Sequence, residues 1–164
     1  MESTLTDEDW KTCFAQLGPA LLLFARRWTN SLADAEDIVQ EAFVRFWRRQ
    51  HSIENRALLY ATVRSTALDR LRSDQRRARR EAAVALDGAE HFEPQFTTLD
   101  EGQQMLAAAV GRLPNEQREV VILKIWNELT FAEIGNILEI SPNTAASRYR
   151  YALSALKKTL QPHE

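Results

Sequence analysis

The side chains capable of bond chemistry are scattered. The single cysteine, Cys13, cannot pair within the chain or build a thiolate metal cage. His51, His91 and His163 are too far apart in the sequence to match any metal-ligand spacing. No nucleophile stands at a set interval from a base, and no glycine-rich loop could cradle a phosphate. What recurs at helical spacing is hydrogen-bonding and cationic. Asn143, Ser147, Arg150 and Ser154 lie at i, i+4, i+7 and i+11, with Thr144 and Arg148 beside them, and Ser65, Asp69, Arg72 and Arg76 repeat the same intervals. Rows of this kind attract phosphates and hydrogen-bond base edges. An enzyme is therefore not expected, nor a metal or a cofactor.

The elements that must carry these rows are helices. Trp10, Phe14, Leu17 and Leu21 form the stripe of a first helix, with Cys13 beside it as a small buried apolar group. A second helix begins at Ser31, with Asp34 three residues on as a shortened capping box. Its stripe is Ala35, Val39, Ala42 and Phe46, widened by Ile38, Phe43 and Trp47. That is more large apolar surface than one packing face uses. Composition leaves two readings open: a helix central to a small bundle, or one whose surface docks a partner. A third helix runs from about Asn55 past Ser73, burying Tyr60, Val63, Ala67 and Leu71 and ending in Arg76, Arg77, Arg79 and Arg80.

Periodicity fails between Glu81 and about Asp100, a linker longer than most connections within a domain. Beyond it the pattern predicts helices at about 100–112, 115–127, 130–138 and 142–160. Leu113-Pro114 separates the first two. Thr130 with Glu133 is a capping box, and Ser141 stands as N-cap before Pro142 at the first helical position. The last two helices have the layout of a helix-turn-helix, with Ala145, Tyr149, Ala152 and Leu156 turned inward. By itself this motif also fits an ordinary amphipathic hairpin with a solvated polar face. The expectation is an all-α chain of two small helical bundles joined by a flexible linker: 1–80, the acidic linker 81–99, and 100–164.

Charge follows the same division. The chain has 21 Lys+Arg and 23 Asp+Glu, net −2. Residues 1–44 are net −5, residues 45–80 net +8, residues 81–139 net −8 and residues 140–164 net +3. Two positive blocks thus lie between two negative ones, a polyanion-binding pattern that the total conceals. No apolar run approaches the roughly 20 residues needed to span a bilayer. The stretch Ala20 to Ala25 is short and follows an acidic N-terminus, which is not the layout of a secretory signal. A cytoplasmic protein without membrane insertion is expected.

Three stretches together resemble one family. Asp34 to Trp47 is similar to the core-binding helix of bacterial sigma factors, and Arg56 to Arg72 to their promoter-melting helix. The segments beginning at Leu113, Leu129 and Ser141 resemble their C-terminal helix-turn-helix domain. The length, with only these two domains, resembles the extracytoplasmic-function (ECF) subgroup. The resemblance implies a protein that brings core RNA polymerase to promoter DNA without bond chemistry of its own. It assigns Asp37, Gln40, Glu41, Phe43 and Trp47 to docking on core polymerase, which favours the partner-docking reading of the second helix. It assigns His51, Asn55, Ser65, Asp69, Arg70, Arg72 and Arg76 to capture and opening of the −10 element. It assigns Asn143, Thr144, Ser147, Arg148 and Arg150 to the −35 duplex. It further implies an anti-sigma factor as partner, and a linker that threads the polymerase's RNA channel.

The chain departs from the family pattern at four positions. Leu58 stands where Trp is frequent, Ser65 where Asn is frequent, Glu139 where the turn usually has Gly, and Ala146 where a basic residue is frequent. If position 139 needs a positive φ, Glu would cost about 1 kcal/mol or more relative to Gly. Two other functions compete: a stand-alone helix-turn-helix regulator with a dimerising or sensory first half, and an adaptor that binds polymerase but no promoter. The aromatic second helix argues against the first, and the arginine-rich third helix against the second. Acidic segments are expected to compete for the basic surfaces, so the isolated chain should bind DNA weakly.

Overall fold

Alternating caps and stripes give seven α-helices among the described residues. The computed structural model describes residues 7–49, 55–80, 92, 94 and 100–161. In order they form α1 (Asp7–Ala25), α2 (Leu32–Arg48), α3 (Arg56–Arg80), α4 (Glu101–Gly111), α5 (Asn115–Val121), α6 (Phe131–Leu138) and α7 (Pro142–Leu160). There is no strand among the described residues. The linker expectation falls almost entirely on residues outside those described, as does the side chain of Trp10.

In the first half, α2 packs on both α1 and α3. Leu17, Leu21 and Phe24 of α1 meet Ala35, Ile38, Val39, Ala42, Phe43 and Phe46 of α2 and Leu59, Tyr60, Val63 and Ala67 of α3. Phe24 holds the centre edge-on, 5.0 Å from the Tyr60 ring and 5.3 Å from Trp28. These tilted contacts are the favoured aromatic geometry. The abundant apolar surface of α2 is thus used largely because the helix is central.

In the second half, α7 lies against α4, α5 and α6. The helix expected over 115–127 is not uniform: α5 opens into a π-helical segment, Ile122–Trp126. Its end is fastened by Asn127, whose Nδ2 donates to the Ile122 carbonyl at 3.1 Å, and by the Leu129 amide donating to the Leu123 carbonyl at 3.3 Å. Glu128 follows in the left-handed region (φ 52°). Six consecutive residues, Arg118 to Leu123, are buried. A helix buried on every side must be a central strut rather than a one-faced surface helix.

Three caps start the helices of this half. Asp100 and Gln103 form a reciprocal capping box at α4, as do Thr130 and Glu133 at α6. Ser141 accepts from the Thr144 amide at 3.1 Å at α7. The Asp100 box is also written in the sequence, as an acid followed three residues later by Gln. The two halves meet directly. The α3 helix packs on α6, and α1 packs on the π segment.

The Thr130 amide and hydroxyl hold the Glu133 carboxyl below its usual range. A depressed folded value means the stabilisation is present above about 4.5 and is lost as pH falls through that lower value. Glu133→Gln keeps an acceptor but does not titrate. The wild type's advantage in thermal midpoint over this variant should therefore shrink as pH is lowered from 4.5, read by far-UV circular dichroism. A pH-independent difference would contradict the assignment.

Candidate nucleic-acid interface and docking face

The row on α7 is set by its first turn. Pro142 fixes the backbone, and the Ser141 hydroxyl both accepts from the Thr144 amide and donates to Thr144 Oγ1 at 2.9 Å. Thr144 is thereby oriented and half-buried, while Asn143 and Arg150 are exposed. Ser147 accepts from Arg150 Nη2 at 3.3 Å, so these two side chains lie together on the outer face. Tyr151, 70% exposed, stands on the same face four residues after Ser147. Its i, i+4 relation to Ser147 is the signal in the sequence that joins it to this row. Arg148 turns to the edge, where its charge bears on Glu119 of α5.

The turn before α7 is tight. Ile140 donates its amide to the Gly135 carbonyl at 3.0 Å, and a Cβ at position 135 would lie 2.6 Å from the Ile140 carbonyl oxygen. Only glycine fits that approach. Glu139 does adopt the left-handed conformation, φ 58° and ψ 43°. Beneath the motif, Arg118 is buried and donates to the Leu113 carbonyl at 3.2 Å and to Asn115 Oδ1. Burial, with Arg26 nearby, pushes its guanidinium down to about 10. Burial likewise raises the Glu119 carboxyl, opposed by Arg27, Arg148, Arg64 and Arg118. Neither buried ion was singled out by sequence spacing, because each breaks the apolar pattern.

On α3, Ser65, Asp69, Arg72 and Arg76 are all exposed, as their spacing requires. Several of the assigned residues also have partners within the chain. Ser65 donates its hydroxyl to the Thr62 carbonyl at 3.1 Å, and Asp69 pairs with Arg45 at 3.0 Å, which also reaches Glu41 at 3.0 Å. Arg70 lies 3.8 Å from Asp37 and reaches the Asp34 carbonyl at 3.4 Å. Asn55 accepts from the Leu58 amide at 3.1 Å and so caps α3. His51 lies outside the described residues.

On α2, Asp37, Gln40, Glu41, Val44 and Trp47 follow one another along the outer side, with Trp47 and Val44 each 40% exposed. Phe43 does not belong with them. Its ring is 1% exposed and sits 5.6 Å from Phe14, so the docking assignment for Phe43 is corrected to a core position. It forms the floor of a groove of about 480 Å³ between α1 and α2, with Lys11, Gln40 and Val44 at the rim.

Two family models match, Sigma-70 region 2 over residues 13–77 and Sigma-70, region 4 over residues 103–156. The chain is 31% identical over 148 residues to the ECF RNA polymerase sigma factor SigL of Mycobacterium tuberculosis, covering 84% of this chain and 81% of SigL. It is 29% identical over 171 residues to the ECF RNA polymerase sigma factor SigW of Bacillus subtilis, covering 94% and 84%. Its fold is similar to the sigma factor RpoE of Bartonella quintana, solved with the anti-sigma factor NepR, with a TM-score of 0.63 over 96% of this chain and 99% of that one at 23% identity. The chain belongs to the ECF sigma factors, the regulatory subunits with which RNA polymerase carries out promoter-directed initiation. Among the described residues no helix is long and apolar enough to cross a membrane.

The burial difference between two aromatics on α2 sets a test. Phe43→Ala should lower unfolding free energy by about 3–5 kcal/mol in urea titration, as removal of a buried ring does. Trp47→Ala should lower it by much less and instead weaken association with core polymerase, measured by fluorescence anisotropy. Equal destabilisation by both would remove Trp47 from the outer face.

Proposed function

We propose that three faces divide the work of promoter recognition. The outer face of α7, with Asn143, Thr144, Ser147, Arg148 and Arg150, reads the −35 duplex. The exposed row of α3, with Asn55, Arg70 and His51, captures and opens the −10 element. The outer side of α2, with Asp37, Gln40, Glu41 and Trp47, docks on core polymerase in the cytoplasm. The division of domains is the one expected from sequence: 1–80 for core binding and −10 opening, 81–99 as linker, 100–164 for the −35 element.

The observation that carries this reading is the capped N-terminus of α7. It presents Asn143 and Arg150 outward on a helix fixed by the Gly135–Ile140 turn, the arrangement a helix needs to enter a major groove. The role given to α3 is supported by a row of exposed side chains at uniform helical spacing beside a strongly basic stretch. An anti-sigma partner is part of the proposal, supported by the fold neighbours, which were solved as RpoE with NepR and CnrH with the cytosolic domain of CnrY. Masking both the DNA-binding and the core-binding surfaces is what such a partner would achieve.

Transcription by core polymerase with the purified chain, on a library of promoter fragments, tests the proposal. Starts at defined sites are expected. DNA binding without polymerase dependence would instead identify a stand-alone regulator, and core binding without initiation an adaptor. Within that assay Arg150→Ala should cost about 1–3 kcal/mol of −35 recognition on cognate fragments only. Uniform loss on all sequences would make Arg150 a phosphate contact.

A further inference from the structure

Many long polar side chains near the recognition surfaces are engaged within the chain. Across the junction of the two halves, Arg64 pairs with Glu139 Oε2 at 3.2 Å, Arg56 donates to the Trp126 carbonyl at 3.4 Å, and Arg27 lies 3.8 Å from the buried Glu119. On α7, Arg150 donates to Ser147. Two of the three tyrosines are likewise in use. Tyr60 is fully buried, and Tyr149 is half-buried with its ring 5.6 Å from Phe131. Tyr151 is the exception. It is 70% exposed, and among the described residues its ring has no aromatic neighbour and its hydroxyl no hydrogen-bond partner. A ring left in water contributes little to folding, and its flat apolar area is of use where a partner covers it.

Its place on the helix narrows what that partner surface is. Helix α7 begins at Pro142, which puts Tyr151 on the third turn. At 1.5 Å per residue it stands about 12 Å beyond Asn143 along the axis, close to the width of a major groove. Thr144 and Ser147 precede it on the same flank, seven and four residues earlier, and exposed Lys158 follows seven residues later. The flank therefore runs from short hydroxyls, through a ring, to an ammonium group. A helix that enters the groove by its N-terminus brings its first turn closest to the base edges and its later turns nearer the groove wall. Short side chains serve at the first turn, and a long one is needed at the third. Lys158, further out, suits the phosphate backbone.

A phenol ring has few targets there. Its one polar atom lies at the tip of an apolar plane. Among the base edges of the major groove only thymine offers an apolar group, its C5-methyl. That methyl projects beside the backbone of its own strand, at the wall of the groove. Cytosine carries only a hydrogen on the same carbon.

We propose that Tyr151 is a specificity-determining residue whose ring packs on a thymine methyl group of the −35 element. It selects thymine at one position, while Asn143, Ser147 and Arg150 hydrogen-bond neighbouring base edges. The inference rests on the function proposed above. The ring carries the selection and the hydroxyl is dispensable to it.

The test uses holoenzyme assembled from core polymerase and the full chain, on a promoter fragment from which it initiates. Each thymine of the −35 element, on either strand, is replaced singly by uracil. This removes the methyl group and leaves every hydrogen-bonding atom in place. Binding is read by competition against a fluorescent copy of the unmodified fragment. One replacement should weaken wild-type binding about fourfold, the worth of one buried methyl group. Tyr151→Ala should bind the thymine fragment at least that much more weakly and no longer distinguish it from the uracil fragment. Tyr151→Phe keeps the ring and should keep the discrimination. Because the ring buries little in the free chain, the thermal midpoint of Tyr151→Ala should equal that of wild type.

Wild-type binding indifferent to uracil at every position, or discrimination that survives in Tyr151→Ala, would overturn the proposal. So would equal loss in Tyr151→Phe and Tyr151→Ala, which would make the hydroxyl a phosphate contact, or a lowered midpoint, which would make the ring structural. Arg150→Ala on the same fragments separates this inference from the reading beneath it. If that variant loses recognition while uracil has no effect, only the role of Tyr151 falls. If neither Arg150→Ala nor any base change in the −35 element alters binding, the assignment of α7 to that element falls as well.

Discussion

Burial of six successive residues, Arg118 to Leu123, governs the molecule. A segment with no solvent face must be covered on all sides, and here α1, α4, α6 and α7 cover it. Its two ions illustrate the constraint. Arg118 can be buried because it donates to the Leu113 carbonyl and to Asn115, and Glu119 because arginines surround it. Removing one member of such a set leaves the others in a poor environment, which ties the turn after α4, the support of α7 and the junction between the halves to one another.

Much of this was legible from periodicity and caps. Thr130–Glu133, Ser141-Pro142 and the inward stripe Ala145, Ala152, Leu156 are local patterns, and they appear in the structure where the sequence places them. Position 139 was open in the sequence, where a positive φ was only a condition; the structure shows that Glu139 adopts it, at φ 58°. Phe43 was not legible in the same way. Periodicity shows that a side chain is apolar and near a stripe, but not whether another helix or another molecule covers it. That depends on α1 supplying Phe14, a contact 29 residues away in the sequence. The partners of Asp69, Arg70 and Arg64 were hidden for the same reason, since Arg45 and Asp37 lie on α2 and Glu139 in the turn after α6.

The alternating charge blocks acquire a structural meaning. The positive block around α3 and the negative block containing α5 and α6 are adjacent in space, and Arg64 pairs with Glu139 across the junction. The net charge of −2 is the same in any arrangement, but neighbouring blocks of opposite sign weaken the field of each. Taken separately, residues 1–80 carry net +3 and residues 81–164 net −5, each with its own long-range field.

The direction of the junction contacts also bears on how the protein is made. Arg27, Arg56 and Arg64 lie in the part that leaves the ribosome first, whereas Glu119, Trp126 and Glu139 are added later. At about 5–20 residues per second, the second half follows several seconds behind. During that interval the nascent first half carries those arginines without their acceptors, close to a large RNA surface. The order of synthesis makes these arginines wait for their acceptors, so each newly made chain carries them unpaired to Glu119, Trp126 and Glu139 before its two halves can first meet.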